Sequence, residues 1–219
     1  MQKYKNKFIE LAIKSQALKF GEFILKSGRV SPYFFNAGLL STGEAMEIVS
    51  DCYVECIIDQ GLKFDIVFGP AYKGIPLSAV IAMKLYSRYG VNVGYAYNRK
   101  EAKDHGEGGV LVGANLTGKR VLIVDDVITA GTAILESVSL LKATNASIVG
   151  VSLALDRQEK GQKSNRSAIQ EISEEYGFSI STIINVSDIL GYLKGQGGFK
   201  EYISSFNNYR ARYGIQGAD

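Results

Sequence analysis

The chain has 219 residues, 46% of them hydrophobic and 21% charged, and a net charge of +3. A chain of this mass can bury roughly 70% of its unfolded surface, so a core needs no disulfide staples, and the composition is too apolar for a mainly disordered chain. No apolar run reaches the ~20 residues of a membrane helix, and the small positive balance is too weak to point to nucleic acid.

The first twenty residues are basic and amphipathic. Phe8, Ile9, Ala12 and Ile13 recur at helical spacing, which predicts a packed first helix. The stretch has no Arg and contains Glu10, unlike a transit peptide, and with no address signal the expected location is the cytoplasm. EFILKSGRVSPYFFNAG then alternates and breaks at Ser27-Gly28, the pattern of a β-hairpin. Residues 43–60 have helical period and carry Cys52 and Cys56 four apart, on one side. Two cysteines build no disulfide framework, and with His105 as the single histidine the zinc ligands are too few. Both thiols are expected in the core of a protein kept in a reducing compartment.

DIVFG (65–69) is a short run of the kind buried on both faces, and a helix is predicted over 74–90 with Pro76 in its first turn. VNVGYAYN (91–98) reads as a strand and 98–109 as a charged, Gly-rich surface loop. Further strands are predicted at 120–126 and 147–157, helices at 129–144 and 167–178, and at 179–190 a strand leading into a helix. This alternation predicts an α/β fold, a doubly wound, mostly parallel sheet flanked by helices. Residues 1–40 stand outside it and are expected to form a small hood over the α/β core of 41–219. Residues 170–219 carry no motif. Ligands of such sheets bind beyond the carboxyl ends of the strands, which selects 69–74, 98–109, 125–133 and 156–158.

The most informative of these is Val121-Leu122-Ile123-Val124-Asp125-Asp126-Val127-Ile128-Thr129-Ala130-Gly131-Thr132-Ala133. An apolar strand ends in two carboxylates, and a Thr-Ala-Gly-Thr turn opens into a helix. Such a turn offers free N–H groups, two hydroxyls and the positive end of the helix dipole, which together suit a phosphate monoester. The acidic pair repels that phosphate, but it accepts hydrogen bonds from vicinal hydroxyls and attracts Mg²⁺ through water. A ribose 5-phosphate satisfies both halves. Gly113 to Lys119 matches G-x-x-x-x-G-K, but Arg120 replaces the required Ser or Thr and the match precedes a strand, so it reads as a turn rather than a P-loop.

The thirteen-residue pattern resembles the phosphoribosyl diphosphate (PRPP) motif of type I phosphoribosyltransferases. Phe68-Gly69-Pro70-Ala71-Tyr72-Lys73-Gly74 by itself reads equally well as a plain turn with a solvated Lys, or as a diphosphate cradle of backbone N–H groups and one cation. Beside the first motif it resembles the family's diphosphate loop. Arg99-Lys100-Glu101-Ala102-Lys103-Asp104-His105-Gly106-Glu107-Gly108-Gly109 is a solvated charged loop by composition. It also resembles the mobile catalytic loop of the orotate-specific branch. Lys26 and Phe34-Phe35 in the hairpin, and Arg157 at a strand end, resemble that branch's acceptor residues. By themselves the two Phe residues read as ordinary hairpin packing, and as neighbours on a strand they point to opposite faces.

The resemblance implies the type I phosphoribosyltransferase fold, a transfer of ribose 5-phosphate from PRPP to orotate with Mg²⁺, and a homodimer with shared sites. Carried over residue by residue, Arg99, Lys100, Lys103, His105, Asp125 and Asp126 are the expected catalytic residues. Those residues, with Lys26, Tyr72, Lys73 and the run Val127, Ile128, Thr129, Ala130, Gly131, Thr132 and Ala133, would hold PRPP. Lys26, Phe34, Phe35, Thr129 and Arg157 would hold orotate. No side chain is expected to bind the metal directly; it would ride on PRPP, with water linking it to Asp125 or Asp126. No nucleic acid or membrane partner is expected. A purine or uracil transferase, or a PRPP-sensing regulator of the same fold, would share the 121–133 motif but would not need the hairpin residues or an anion-pairing Arg157.

Overall fold

The computed structural model describes residues 1–103, 109–128, 131–161, 164–196 and 199–215, with the backbone alone for Ala102 and Lys103. Helix α1 (Lys3–Lys14) precedes a hairpin of β1 (Leu18–Ile24) and β2 (Val30–Phe35). Then follow α2 (Gly43–Asp59), β3 (Ile66–Gly69), α3 (Gly74–Tyr89), β4 (Gly94–Lys103), β5 (Gly109–Gly113) and β6 (Arg120–Val127). The chain continues through α4 (Thr132–Lys142), β7 (Ser147–Asp156), α5 (Ala168–Tyr176), β8 (Ser179–Asn185), α6 (Val186–Gly195) and α7 (Lys200–Tyr213). Six strands form one sheet in the order β5–β4–β3–β6–β7–β8. Every neighbouring pair is parallel except β4 with β5. The expected α/β architecture is thus present, with the antiparallel hairpin as a separate two-stranded sheet.

Alternation along the central strand sets the layers. Val121 and Ile123 of β6 pack with Ile134, Val138 and Leu141 of α4 and Ile172 of α5. Leu122 and Val124 point the other way, into a core shared by α1, α2, α3 and α6. Full burial of one such aliphatic side chain contributes about 1.5–3 kcal/mol. Local signals set the helix ends. The Thr42 hydroxyl accepts from the Ala45 amide at the start of α2, capping boxes open α5 and α6, and Gly90 closes α3 at φ 67°. Cys52 and Cys56 are both free and buried, each thiol reaching a backbone carbonyl, of Tyr4 and Thr182 respectively.

The stretch read as a loop over 98–109 needs correction at 98–103 and 109, and residues 104–108 lie outside the described residues. Strand β4 runs on through Lys103, which pairs with Gly109 of β5. The pairing of β3 with β4 stops at Gly69 and Tyr97, so beyond that point β4 has only β5 beside it. A two-stranded ribbon has no face to bury, and its residues can be charged throughout. Helix α7 was unheralded in the sequence. It presses on the hairpin with aromatic rings: Phe206 stacks on Tyr33 at 5.3 Å, and Tyr202 meets Phe20 at 5.6 Å. Within the first 40 residues, α1 packs on α2, β8 and α6, on one face of the main sheet, whereas the hairpin is held by α7.

Candidate active site

The chain leaves β3 toward β4 on one side and returns to β6 on the other. The carboxyl ends of β3 and β6 therefore flank the point where strand order reverses, the usual crevice of such sheets. The turn after β3 is built from close approaches. A Cβ on Gly69 would lie 1.9 Å from the carbonyl oxygen of Gly74, so only glycine permits the turn. The Gly74 amide donates to the Pro70 carbonyl at 2.9 Å, and the Ala71–Tyr72 peptide is cis. The Ala71 amide donates to Oδ1 of buried Asn98, 3.0 Å away on β4. Tyr72 is exposed. Lys73 crosses the reversal point, its Nζ 2.5 Å from Oδ2 of Asp126.

At the end of β6, Asp125 and Asp126 are both buried. Each carboxylate folds back on the backbone: Asp125 accepts from the Asp126 amide and Asp126 from the Val127 amide, both at 2.9 Å. The Tyr53 hydroxyl donates to the Asp125 carbonyl at 2.7 Å, which fixes the strand end from below. Burial, and then the negative charge of Asp126, push the Asp125 carboxyl up to about 7. An anionic oxygen in so dry a place gains from any donor brought to it, whether hydroxyl or cation.

Gly131 caps α4 at φ 75°, with no side-chain cap. The Leu135 amide bonds back to the Gly131 carbonyl at 2.9 Å, and an α-helix has no acceptors of its own for its first amides. A Cβ on Gly131 would meet Ile172 at 2.7 Å, so the glycine serves packing as well as the left-handed turn. This helix start and the acid pair follow β6, and the Lys73 turn follows β3, the strand paired beside it.

The neighbouring strand end, after β7, carries Arg157. Its guanidinium lies 4.9 Å from the Tyr33 ring of the hairpin. Nε and Nη2 donate to Oε1 of Glu159 at 2.9 and 2.7 Å. Burial alone would ease the charge off this guanidinium, but the Glu159 carboxylate bonded to it keeps it cationic. On β2, Phe34 is exposed and lies 5.6 Å from Phe23. Phe35 turns toward the core, with its ring 6.3 Å from that of Phe8.

A family model for the phosphoribosyl transferase domain matches residues 39–185. The orotate phosphoribosyltransferase of Photorhabdus laumondii is 51% identical over 98% of this chain and 100% of its own length. That of Thioalkalivibrio sulfidiphilus is 52% identical with the same coverage. The chain belongs to the orotate phosphoribosyltransferase family. The crystal structure of the Francisella tularensis family member superposes with a TM-score of 0.87 at 49% identity, covering 94% of this chain and 98% of that one.

Among the residues expected to act in this family, Lys73, Asp125 and Asp126 are brought together directly, with Tyr72 in the same turn. Val127 and Ile128 leave β6, and Gly131, Thr132 and Ala133 begin α4. Lys100 reaches Glu136 on α4 at 3.5 Å, and Arg99 donates to the Gly109 carbonyl at 3.5 Å. Lys26 is exposed near the hairpin turn. His105, Thr129 and Ala130 lie outside the described residues, as does the side chain of Lys103. Three residues that matter went unassigned in the sequence. Asn98, a lone amide at the end of an apolar strand, was the readable signal. Tyr53 and Glu159 gave none.

Proposed function

We propose that the chain transfers the ribose 5-phosphate group of PRPP to orotate, giving orotidine 5′-monophosphate and diphosphate, a step of pyrimidine nucleotide synthesis. The observation that carries this reading is the Lys73–Asp126 pair, 2.5 Å across the strand reversal, with the start of α4 following the same strand β6. It brings a cation for diphosphate and a carboxylate for a sugar diol to adjoining strand ends.

In this reading the α4 amides grip the 5-phosphate, with Thr129, Ala130, Thr132 and Ala133 around it. Asp125 and Asp126 accept from the ribose hydroxyls and favour the positive charge that develops at C1′. Lys73, with Tyr72 in its turn, binds the diphosphate. Arg99, Lys100 and Lys103 of β4 add positive charge as the bond from C1′ to the diphosphate oxygen breaks, and His105 adds a hydrogen bond or a proton; one preorganised donor of this kind is typically worth about 2.7–4 kcal/mol. The ring nitrogen of orotate forms its bond on the opposite face, inverting C1′. Arg157 pairs the orotate carboxylate, Lys26 and Thr129 add polar contacts, and exposed Phe34 offers the apolar wall, with Phe35 behind it.

The donor set suits Mg²⁺ brought in with the substrate. Asp125 and Asp126 are hard oxygen ligands, but two carboxylates fill only part of an octahedron, and among the described residues no cluster of three metal-ligating side chains occurs. The ion would neutralise diphosphate charge, with water linking it to the acid pair. The same reading makes the enzyme a homodimer. Met83, Tyr86 and Tyr89, three apart on α3, are exposed together with Tyr72 and Tyr95, an apolar stripe that a second copy would cover. The buried free thiols fit a reducing cytoplasm.

The test is to offer orotate, uracil, hypoxanthine and adenine side by side with PRPP and Mg²⁺, following absorbance, with and without chelator. Turnover of orotate alone, stopped by chelator, is expected. Turnover of another base in preference, or no turnover with RNA or DNA binding instead, would defeat the reading.

A further inference from the structure

The acceptor side of the site contains a carboxylate that the proposed reaction does not use. Glu159 lies two residues beyond Arg157, and its side chain is 14% exposed, as buried as the arginine at 17%. It binds two guanidiniums. Its Oε1 takes Nε and Nη2 of Arg157, and its Oε2 is 3.4 Å from Nη1 of Arg29 on the hairpin side. Neither hydrogen bond to Glu159 uses Nη1 of Arg157, and the Tyr209 hydroxyl lies beside both side chains. Glu159 thus takes the Nε side of the fork and leaves the Nη1 side for a second planar anion.

The backbone shows that this placement is built. Gln158 stands at φ 50°, which reverses the chain so that Arg157 and Glu159 meet. The Gln158 side chain accepts from the Ser187 amide at 3.0 Å. The C-terminal segment then pairs with this turn: Glu159 bridges to Gly214, the Lys160 amide donates to the Tyr213 carbonyl at 2.8 Å, and the Ile215 amide to the Gln158 carbonyl at 3.0 Å. The Tyr33 ring closes the other side of the guanidinium.

We propose that Glu159 is the positioning residue of the acceptor site, holding the Arg157 guanidinium so that its open edge meets the acceptor's carboxylate, with residues 213–215 keeping Glu159 in place. This inference rests on the reading of Arg157 as the partner of that carboxylate. A carboxylate that instead competed with the acceptor for Arg157 would have the opposite signature, because neutralising it would tighten acceptor binding.

Steady-state kinetics of E159Q and E159D separate these cases. The isosteric E159Q keeps the volume and an acceptor oxygen but loses the charge. It is expected to raise the KM for orotate about tenfold, with kcat and the KM for PRPP within about twofold of wild type. E159D keeps the charge one methylene short and is expected to give a smaller rise of the same kind. It carries the test alone if E159Q melts below the assay temperature. An orotate KM that is unchanged or lower, or that rises in step with the PRPP KM, overturns the proposal. R157A is run in parallel. If it spares the orotate KM, the underlying assignment of Arg157 fails; if it raises that KM and the Glu159 variants do not, the positioning role alone fails.

Discussion

Asp125→Asn removes a charge that burial already disfavours. In the folded protein the carboxyl sits at about 7 instead of its ordinary 3.8. At about 1.36 kcal/mol per pH unit, ionised Asp125 costs the fold up to about 4 kcal/mol. Because the folded value is the raised one, stability from this group is fully present below about pH 4 and is lost as pH climbs toward 7. Asn keeps the acceptor for the Asp126 amide, but it brings an NH₂ group whose burial without a partner costs about 1–3 kcal/mol. The net expectation at pH 8 is a gain of about 1–3 kcal/mol, a melting temperature higher by a few °C to about 10 °C for a chain of this size. The gain should shrink steadily from pH 7 to pH 4, while calorimetry at pH 8 shows PRPP binding weakened at least tenfold. Thermal melts of both proteins at pH 8 and pH 5 decide the matter. A variant that melts below wild type at pH 8, or a gap of equal size at both pH values, refutes the claim that a strained buried charge is kept for the ligand.

Lys103→Ala should lower kcat far more than it weakens PRPP binding, since in the proposed reaction Lys103 acts on the departing diphosphate; unchanged turnover would remove it from the catalytic set. Arg157→Ala should raise the KM for orotate selectively, and an equal loss for PRPP would mean that the acceptor site lies elsewhere. Gly69→Ala places a methyl 1.9 Å from the Gly74 carbonyl oxygen, so the turn must open; lost PRPP affinity with a modest fall in melting temperature is expected, and normal affinity would show that the turn does not touch the donor.

The central layer was legible because it is periodic. Val121 to Val124 are apolar on both faces, α3 and α4 have helical spacing, and Gly90, Thr42 and Pro76 mark helix ends by local chemistry. The acid pair and the glycine turn were legible for the same reason, as all their parts lie within thirteen residues. What the sequence hid depends on distant partners. Arg99 to Lys103 look like a loop because a two-stranded ribbon buries neither face. α7 is polar on most sides and buries mainly Phe206 and Tyr209, too few to register as a periodic face. Lys73 and Asp126 are 53 residues apart, and nothing in either segment announces the other. Glu159 is near Arg157 in sequence, yet the two meet only because Gln158 takes a left-handed backbone that the C-terminal segment holds.

The place where the donor sugar is gripped decides the function. A crystal structure with PRPP and Mg²⁺ should show 5-phosphate oxygens hydrogen-bonded to backbone amides at the start of α4, and the ribose hydroxyls on Asp125 and Asp126. PRPP bound at another edge of the sheet, with those amides bonded to protein groups instead, would contradict it.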